Sequence, residues 1–228
     1  MGGIDKVFAR LNGAPLLART VDAFEKCPLI DDVVVVLARK SLSQGKKLAR
    51  ECGWRKVVAV CPGGPRRQDS VKEGLSRLVD CQWVVIHDGA RPCVDASLIE
   101  RGLAAARESG AAVAGVPVRD TIKIVSRRRL VQQTPARQCL WAAQTPQVFR
   151  YDLITQAYNE SRADVTDDAS LVEQLGHKVE VFMGSYQNIK VTTPEDLAIA
   201  DLFLRSNGEG LSDSGAPCAS VSATMPTP

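Results

Sequence analysis

A carboxylate and an arginine stand three residues apart in the stretch 84–92, which has the sequence VVIHDGARP. The β-branched run before His87 predicts a strand buried on both faces, and Asp88 falls where that strand ends. In open α/β sheets, ligands bind outside the carboxyl ends of the strands, so Asp88 could hold Mg²⁺ and Arg91 could meet a phosphate. An aspartate that caps a tight turn and pairs with Arg91 fits this stretch equally well.

A glycine-rich turn at residues 62–71, PGGPRRQDSV, is a second candidate site. Its backbone N–H groups, its two arginines and the hydroxyl of Ser70 are groups that bind anions at the start of a helix. An ordinary strand-to-helix turn capped by Asp69 or Ser70 explains the same residues and is slightly favoured by this stretch taken alone.

Two lysines could add positive charge to the same crevice. Lys6 lies in the opening loop, and Lys190 ends a short predicted strand just before a turn. A lysine in the crevice would stabilise charge that develops on phosphates, although most lysines are simply solvated. His87 in the buried strand and His177 in a helix-ending turn form no Ser/His/Asp arrangement that would support nucleophilic catalysis.

The length and composition allow a single domain of the α/β kind, and the protein is expected to be soluble. The chain has 228 residues, of which 45% are hydrophobic and 24% charged, and its net charge of +3 is too small to suggest a nucleic-acid partner. Seven scattered cysteines without a C-x-x-C pair indicate reduced thiols in the cytoplasm. We find neither a membrane-spanning run nor a signal peptide, so no membrane partner is expected.

Hydrophobic patterning predicts the elements that position these residues. Strands are predicted at 32–37, 56–60, 84–86 and 111–118, and short strands at 179–182 and 188–191. Helices are predicted at 15–25, 41–52, 68–79, 96–108, 151–158, 166–175 and 193–205. Residues 206–228 lose all periodicity and are predicted to form a disordered tail.

The βαβ pattern is interrupted by an arm at about residues 119–144. Alternation over 119–125, a charged turn at 126–129 and a return over 130–134 predict a β-hairpin, and residues 141–149 lead back to the body. Since a two-stranded hairpin is only marginally stable alone, we expect it to pack against a second subunit.

Six spaced motifs resemble the 2-C-methyl-D-erythritol 4-phosphate cytidylyltransferases over residues 1–205. They are GGxxRxxSV at 63–71, HDGARP at 87–92, PVRDTIK at 117–123, TPQ at 145–147, TDDA at 166–169 and NIKVT at 188–192. The resemblance implies a Rossmann-like α/β fold, with a mostly parallel sheet flanked by helices and a protruding β-hairpin arm. Residues 1–205 would form the nucleotidyltransferase domain.

The activity implied by the resemblance is a step of non-mevalonate isoprenoid biosynthesis. A polyol phosphate, 2-C-methyl-D-erythritol 4-phosphate, attacks the α-phosphorus of CTP and releases pyrophosphate. Because the attacking phosphate is already ionised, catalysis depends on in-line positioning and on neutralising the triphosphate. Mg²⁺ or another divalent cation is implied as cofactor, and a homodimer formed through the arm is implied as the assembly.

The resemblance also implies roles for individual residues. Lys6 would stabilise the transition state, Arg137 and Lys190 would hold the acceptor, and Asp88 would bind the metal. The residues implied in substrate binding are Gly64, Arg67, Ser70, Arg91, Thr121, Lys123, Thr145, Thr166 and Asp167. Since the family's arm crosses to the partner, each site would be built from two chains.

The chain departs from the family at its beginning. The family starts with a central strand and a glycine-rich loop that cradles the triphosphate, and here residues 1–2 match only the end of that loop. We expect the neighbours of the missing strand to lie about 10 Å apart, twice the usual strand spacing. The hypothesis that follows is that the natural protein starts upstream.

Two alternatives to this function stay open at the level of sequence. A ribitol 5-phosphate cytidylyltransferase would share the CTP motifs and differ in its acceptor pocket. A catalytically inactive dimeric relative would lack the glycine-rich loop, although the joint presence of Lys6, Arg137 and Lys190 counts against loss of function.

Overall fold

The computed structural model describes residues 6–161 and 164–208, with side chains described up to Ser206. The strands are β1 (Arg10–Leu11), β2 (Ala14–Pro15), β3 (Val33–Leu37), β4 (Val57–Pro62), β5 (Trp83–Ile86), β6 (Ala111–Pro117), β7 (Ile124–Val125), β8 (Val131–Gln133), β9 (Trp141–Arg150) and β10 (Glu180–Met183). The α-helices are α1 (Leu16–Lys26), α2 (Leu42–Glu51), α3 (Arg67–Leu75), α4 (Ala96–Ser109), α5 (Tyr151–Glu160), α6 (Ala169–Gln174) and α7 (Pro194–Gly208).

Most predicted elements are confirmed, with two corrections. Every predicted helix is present, with ends that shift by at most four residues. Residues 188–191 were predicted as a strand, but they form an irregular segment. Residues 119–123 are likewise not a strand, so the hairpin is shorter than predicted. The predicted tail, 206–228, lies outside the described residues apart from its first three, which end α7.

The main sheet has the strand order β10-β6-β9-β5. β10 pairs in parallel with β6, whereas β9 is antiparallel to both β6 and β5. The strands β5, β6 and β10 therefore share one direction, and β9 alone reverses it, which agrees with the mostly parallel sheet expected. This common direction brings the loops after β5 and β10 to one edge of the sheet, where the crevice was predicted.

β3 and β4 form a separate parallel pair. No strand among the described residues lies between β3 and β5. A cavity of about 470 Å³ separates them instead, lined by both strands and by the side chains of α1, α3 and α4 that face it. β3 and β5 therefore line opposite sides of this cavity.

Helices cover both faces of the main sheet. Along β6, Ala112 and Ala114 pack in the cluster that contains α1 and α4, whereas Ala111 and Val113 pack with α5 and α6. This period of two is that of a strand buried on both faces. Gly102 allows α4 to approach closely, because a Cβ there would lie 2.9 Å from the side chains of Phe182 and Val148.

The arm projects from this body as the antiparallel hairpin β7-β8. Its apolar side chains face solvent in the single chain. They are Ile122, Ile124, Val125, Leu130, Val131 and Trp141, between 40% and 66% exposed. Among the helices that the structure describes, none has the length and apolar character needed to span a bilayer.

Candidate active site

Three cationic side chains surround the carboxylate of Asp88 in the loop after β5. Lys190 Nζ lies 3.0 Å and Arg91 Nε lies 3.5 Å from Asp88 Oδ2. Arg67 Nε lies 3.8 Å from Oδ1 of the same carboxylate. We call these four side chains the central ion cluster. The structure thus brings together Arg67, the neighbouring pair Asp88 and Arg91, and Lys190, from three separate stretches of the sequence, at the predicted edge of the sheet.

The charges of the central ion cluster favour anionic ligands. Burial raises the pKa of Asp88, but Lys190, Arg67 and Arg91 lower it by more, so the carboxylate stays ionised. Counting Asp168, a buried carboxylate 2.6 Å from Arg67, two negative charges stand against three positive ones. The excess of positive charge in a largely buried site suits a polyphosphate.

The glycine-rich turn is held together by its own polar groups. The Gly64 N–H donates to Ser70 Oγ at 3.1 Å, and the fully buried Ser70 hydroxyl donates to the Arg66 carbonyl at 3.1 Å. Asp69 Oδ2 accepts the Arg66 N–H and caps α3. These are the bonds of an ordinary strand-to-helix turn, and the substrate contact implied for Ser70 stays a prediction. Arg67, in the first turn of α3, reaches the central ion cluster.

Gly64 is required by close contact within this turn, because an added Cβ would lie 2.4 Å from Asp69 Cβ. We expect Gly64→Ala to lower the free energy of unfolding by about 1–3 kcal/mol, as overpacking does. Urea denaturation would measure this loss. Gly74→Ala in α3 is the matched control, since its Cβ would meet only a side-chain atom of Val36 at 3.1 Å. Equal losses in the two variants would contradict the steric explanation.

Thr145 and Asn188 fix the loops that carry the central ion cluster. Thr145 Oγ1 accepts the Asp88 N–H at 3.0 Å, and Asn188 Nδ2 donates to the Thr145 carbonyl at 2.7 Å. Arg91 Nη1 donates to the Asn188 carbonyl at 2.7 Å. The buried Thr145 hydroxyl oxygen thus accepts a hydrogen bond within the protein, and the substrate contact implied for Thr145 stays a prediction. Sequence reasoning missed Asn188, because its segment was interpreted as a strand.

Asp167 caps α6 in the described structure. Its Oδ1 accepts the backbone N–H of Ser170 at 3.2 Å, and its Oδ2 accepts from Gln147 Nε2 at 3.0 Å. Both oxygens accept hydrogen bonds within the protein, and the substrate contact implied for Asp167 stays a prediction. Thr166 is exposed beside it.

A second buried carboxylate, missed from the sequence, holds Arg67 from behind. Asp168 is fully buried, and its Oδ2 lies 2.6 Å from Arg67 Nη2. Its other oxygen accepts the Tyr158 hydroxyl at 2.5 Å. The TDDA motif drew attention to this segment, but no local signal paired Asp168 with an arginine 101 positions away.

The predicted site residues of the arm lie apart from the central ion cluster. Lys123 Nζ donates to Thr134 Oγ1 at 2.8 Å, and Arg137 Nη1 donates to the Arg119 carbonyl at 2.9 Å. Thr121 and Arg137 are exposed. No described contact joins Thr121, Lys123 or Arg137 to the cluster within one chain.

Lys6 lies in a short 3₁₀ turn and is half-buried. It forms no ion pair with another described residue. The chain that follows it borders the site, because Leu11 and Leu16 pack with Ala90 and Val191, which flank the loops of the central ion cluster. Residues 1–2, matched to the end of the family's loop, lie outside the described range.

Comparison with known proteins identifies the family. The sequence profile of the 2-C-methyl-D-erythritol 4-phosphate cytidylyltransferases matches residues 1–206. The chain belongs to this family.

Relatives of this cytidylyltransferase family resemble the chain over most of its length. The protein of that name from Dehalococcoides mccartyi strain 195 is 51% identical over 205 residues, which cover 90% of each chain. The one from Alkaliphilus oremlandii is 44% identical over 211 residues, 90% of this chain and 89% of that protein.

Solved structures of the family share the fold. The 4-diphosphocytidyl-2C-methyl-D-erythritol synthase of Anaerococcus prevotii has a TM-score of 0.79 at 31% identity, covering 86% of this chain and 88% of its own. The 2-C-methyl-D-erythritol 4-phosphate cytidylyltransferase of Thermus thermophilus has a TM-score of 0.74 at 32% identity, covering 88% of this chain and 93% of its own. The Rossmann-like α/β architecture of this cytidylyltransferase family is thereby confirmed.

The residues of this family member can hold a divalent cation only together with a ligand. No group of three or more His, Cys, Asp or Glu side chains in the described part of the chain could bind a metal. Asp88 Oδ1 receives no hydrogen bond from a described residue, and its nearest cation, Arg67 Nε, is 3.8 Å away. One available carboxylate oxygen fits Mg²⁺ that is carried largely by substrate phosphates and water.

His87, next to the cluster, is buried and neutral in this cytidylyltransferase. Its Nε2 lies 3.3 Å from the Arg91 carbonyl, and its ring packs at 5.3 Å from that of Phe24. Burial lowers the pKa of His87 to about 4. The carbonyl can only accept, so Nε2 carries the proton in this contact. The structure thus supports the prediction that His87 is not a catalyst.

The lowered pKa of His87 predicts acid sensitivity of the fold. Between its ordinary value of 6.5 and about 4, the unfolded chain binds a proton that the native chain does not, so stability falls as the pH is lowered through this window. Across the whole window, the free energy of unfolding should fall by about 3 kcal/mol. The lowered pKa of Asp88 acts in a separate window below its ordinary 3.8.

Urea denaturation at pH 7.5, 6, 5 and 4.5 tests this expectation. His87→Gln keeps a side-chain donor but cannot titrate. The slope of its unfolding free energy against pH should therefore be smaller than that of the wild type, by the contribution of about one bound proton. His177→Gln, which removes an exposed imidazole, is the matched control. An unchanged slope in His87→Gln would contradict the assignment to His87.

Proposed function

We propose that this protein transfers the cytidylyl group of CTP to 2-C-methyl-D-erythritol 4-phosphate. The products are 4-diphosphocytidyl-2-C-methyl-D-erythritol and pyrophosphate, in the non-mevalonate route to isoprenoids. The observation that carries the proposal is the meeting of Arg67, Arg91 and Lys190 on one carboxylate beyond β5, in a chain of this family.

The site supplies what this reaction requires. An oxygen of the acceptor phosphate attacks the α-phosphorus of CTP, while the bond from that phosphorus to the oxygen bridging to the β-phosphorus breaks and pyrophosphate leaves. The attacking phosphate is already ionised, so no strong base is needed, and the buried neutral His87 agrees with this. Arg67, Arg91 and Lys190 would orient the phosphates and stabilise the charge that moves to the leaving group.

Mg²⁺, or another divalent cation, is the cofactor that we assign to this reaction. Asp88 would hold it together with phosphate oxygens of the nucleotide. When bound, the cation would neutralise charge on the triphosphate and help to orient it. Asp88 also keeps Lys190 and Arg91 in place, so the residue serves the site in two ways.

A homodimer that shares its sites through the arm would reunite the predicted site residues. The apolar side chains of β7-β8 and its flanks are exposed, as expected of a surface that packs against a second subunit. Thr121, Lys123 and Arg137 would then meet the central ion cluster of the partner, and Lys6 would act within its own chain.

The cysteines support assignment of the protein to the cytoplasm. The six that the structure describes, Cys27, Cys52, Cys61, Cys81, Cys93 and Cys139, are free. Free thiols in this number fit a reducing compartment.

A substrate panel tests the proposed function. The purified protein is incubated with CTP, Mg²⁺ and either 2-C-methyl-D-erythritol 4-phosphate or ribitol 5-phosphate, and pyrophosphate and the cytidylylated product are measured. We expect product with the methylerythritol phosphate and a much lower rate with the ribitol phosphate. A preference for ribitol 5-phosphate would favour the first alternative, and no product with either acceptor would favour an inactive relative.

A further inference from the structure

Arg67 is held unequally between two carboxylates. Its Nη2 lies 2.6 Å from Asp168 Oδ2, whereas its Nε lies 3.8 Å from Asp88 Oδ1. The first distance is a charge-assisted hydrogen bond and the second is only an ion pair. Asp168 is therefore the stronger anchor, although Asp88 is the carboxylate that faces the other cations of the site.

Asp168 is itself fixed by groups that cannot easily move. The Tyr158 hydroxyl donates to its Oδ1 at 2.5 Å, and Gln147 Oε1 accepts the backbone N–H groups of Asp168 and Ala169, each at 3.1 Å. Asp168 is fully buried, and Tyr158 is 9% exposed. Burial and the neighbouring carboxylate raise the pKa of Tyr158, so the phenol keeps its proton and remains the donor.

We propose that Tyr158 and Asp168 form a tether that positions Arg67 for the nucleotide and keeps it off Asp88. Both are positioning residues, because they act through the guanidinium of Arg67 and have no described contact with the other members of the central ion cluster. The kinetic part of this inference rests on the proposed cytidylyl transfer.

The geometry shows why a tether is needed. With Asp168 weakened as an anchor, the nearest remaining anion for Arg67 is Asp88 Oδ1. A shift of about 1 Å would bring the guanidinium into hydrogen-bond distance of that oxygen. Arg67 would then withdraw its donors from a bound nucleotide and occupy the oxygen that the proposed metal requires.

Tyr158→Phe tests the tether with little change in shape. We expect the KM for CTP to rise about tenfold, with kcat changed less than about threefold and the KM for the acceptor unchanged. That rise is in the range for loss of a hydrogen bond to a charged group. Calorimetric titration of the protein with CTP should show a similar loss of affinity, independently of turnover.

Tyr151→Phe is the matched control on the same helix, α5. Among the described residues, the Tyr151 hydroxyl donates only to the backbone carbonyls of Leu75 and Leu78, at 3.4 and 3.5 Å. We expect this variant to bind CTP within about twofold of the wild type. Thermal unfolding of both variants shows whether a change in stability alone could explain a kinetic difference.

A double-mutant cycle with Arg67→Lys tests whether the effect passes through Arg67. If it does, adding Tyr158→Phe to Arg67→Lys changes CTP affinity by less than about twofold. Two results would overturn the tether. One is that the losses of CTP affinity in the two single variants add up in the double variant, and the other is that Tyr158→Phe binds CTP as tightly as the wild type. If the wild type makes no product, the proposed function is contradicted. The CTP titrations still test the tether in that case, because they measure binding without turnover.

Discussion

Asp88→Asn should lower kcat for pyrophosphate release by about 100- to 1,000-fold, the range seen when one preorganised electrostatic group is removed. The substitution keeps the shape but removes the only negative charge of the central ion cluster. Lys190, Arg91 and Arg67 would then repel one another in a largely buried site, and the proposed metal would lose its carboxylate. Steady-state release of pyrophosphate at saturating CTP measures the change.

Asp152→Asn is the matched control for the loss of charge. Asp152 pairs with Arg150 at 2.5 Å, but its side chain is 68% exposed, so the pair contributes little and kcat should change less than about twofold. A kcat close to that of the wild type in Asp88→Asn would remove Asp88 from the reaction.

The parts of the site that could be predicted are those with a local signal. A run of β-branched residues followed by an aspartate and a glycine marks the end of a buried strand, and this placed Asp88 and Arg91 correctly. The turn with Gly64 was found in the same way, because glycines and a helix start are visible within ten residues. Apolar runs of four to eight residues also located most strands of the sheet.

The missed parts depend on contacts between distant segments. Asp168 and Tyr158 look like a helix-start carboxylate and a core aromatic until α5, α6 and α3 are packed together. The strand β9 escaped prediction because Gln144 and Gln147 interrupt its apolar pattern, yet both are buried with their amides bonded to neighbouring segments. A polar residue with a tertiary partner does not give a strand signal in sequence.

The false strand at 188–191 has a related cause. Its residues alternate in polarity, but Asn188 uses its side chain to bind the Thr145 carbonyl, and the Val191 N–H donates to the Ala90 carbonyl at 2.7 Å. These bonds attach the segment to β9 and to the loop after β5, and they do not form a ladder between strands. The same irregular segment places Lys190 beside Asp88. The prediction was therefore wrong at a position where the site requires a backbone conformation that differs from the local strand preference.

Two inactive chains should restore activity when they pair, if the arm of one subunit completes the site of the other. We expect Arg137→Ala and Lys190→Ala each to abolish most activity. A heterodimer of these two variants, isolated with two affinity tags, has one site with both residues intact. It should show about half of the wild-type activity per dimer.

The placement of both substitutions on one chain gives the decisive comparison. A heterodimer of the wild type with the double variant has one shared site lacking Arg137 and another lacking Lys190, so it should be nearly inactive. If each site were built from a single chain, the result would reverse: this second heterodimer would keep half of the activity and the first would have none. Recovery of both heterodimers through two tags also tests dimer formation, since chains that stay monomeric would not be purified together. The pair of measurements therefore separates a shared site from an independent one without relying on the absolute rate of either variant.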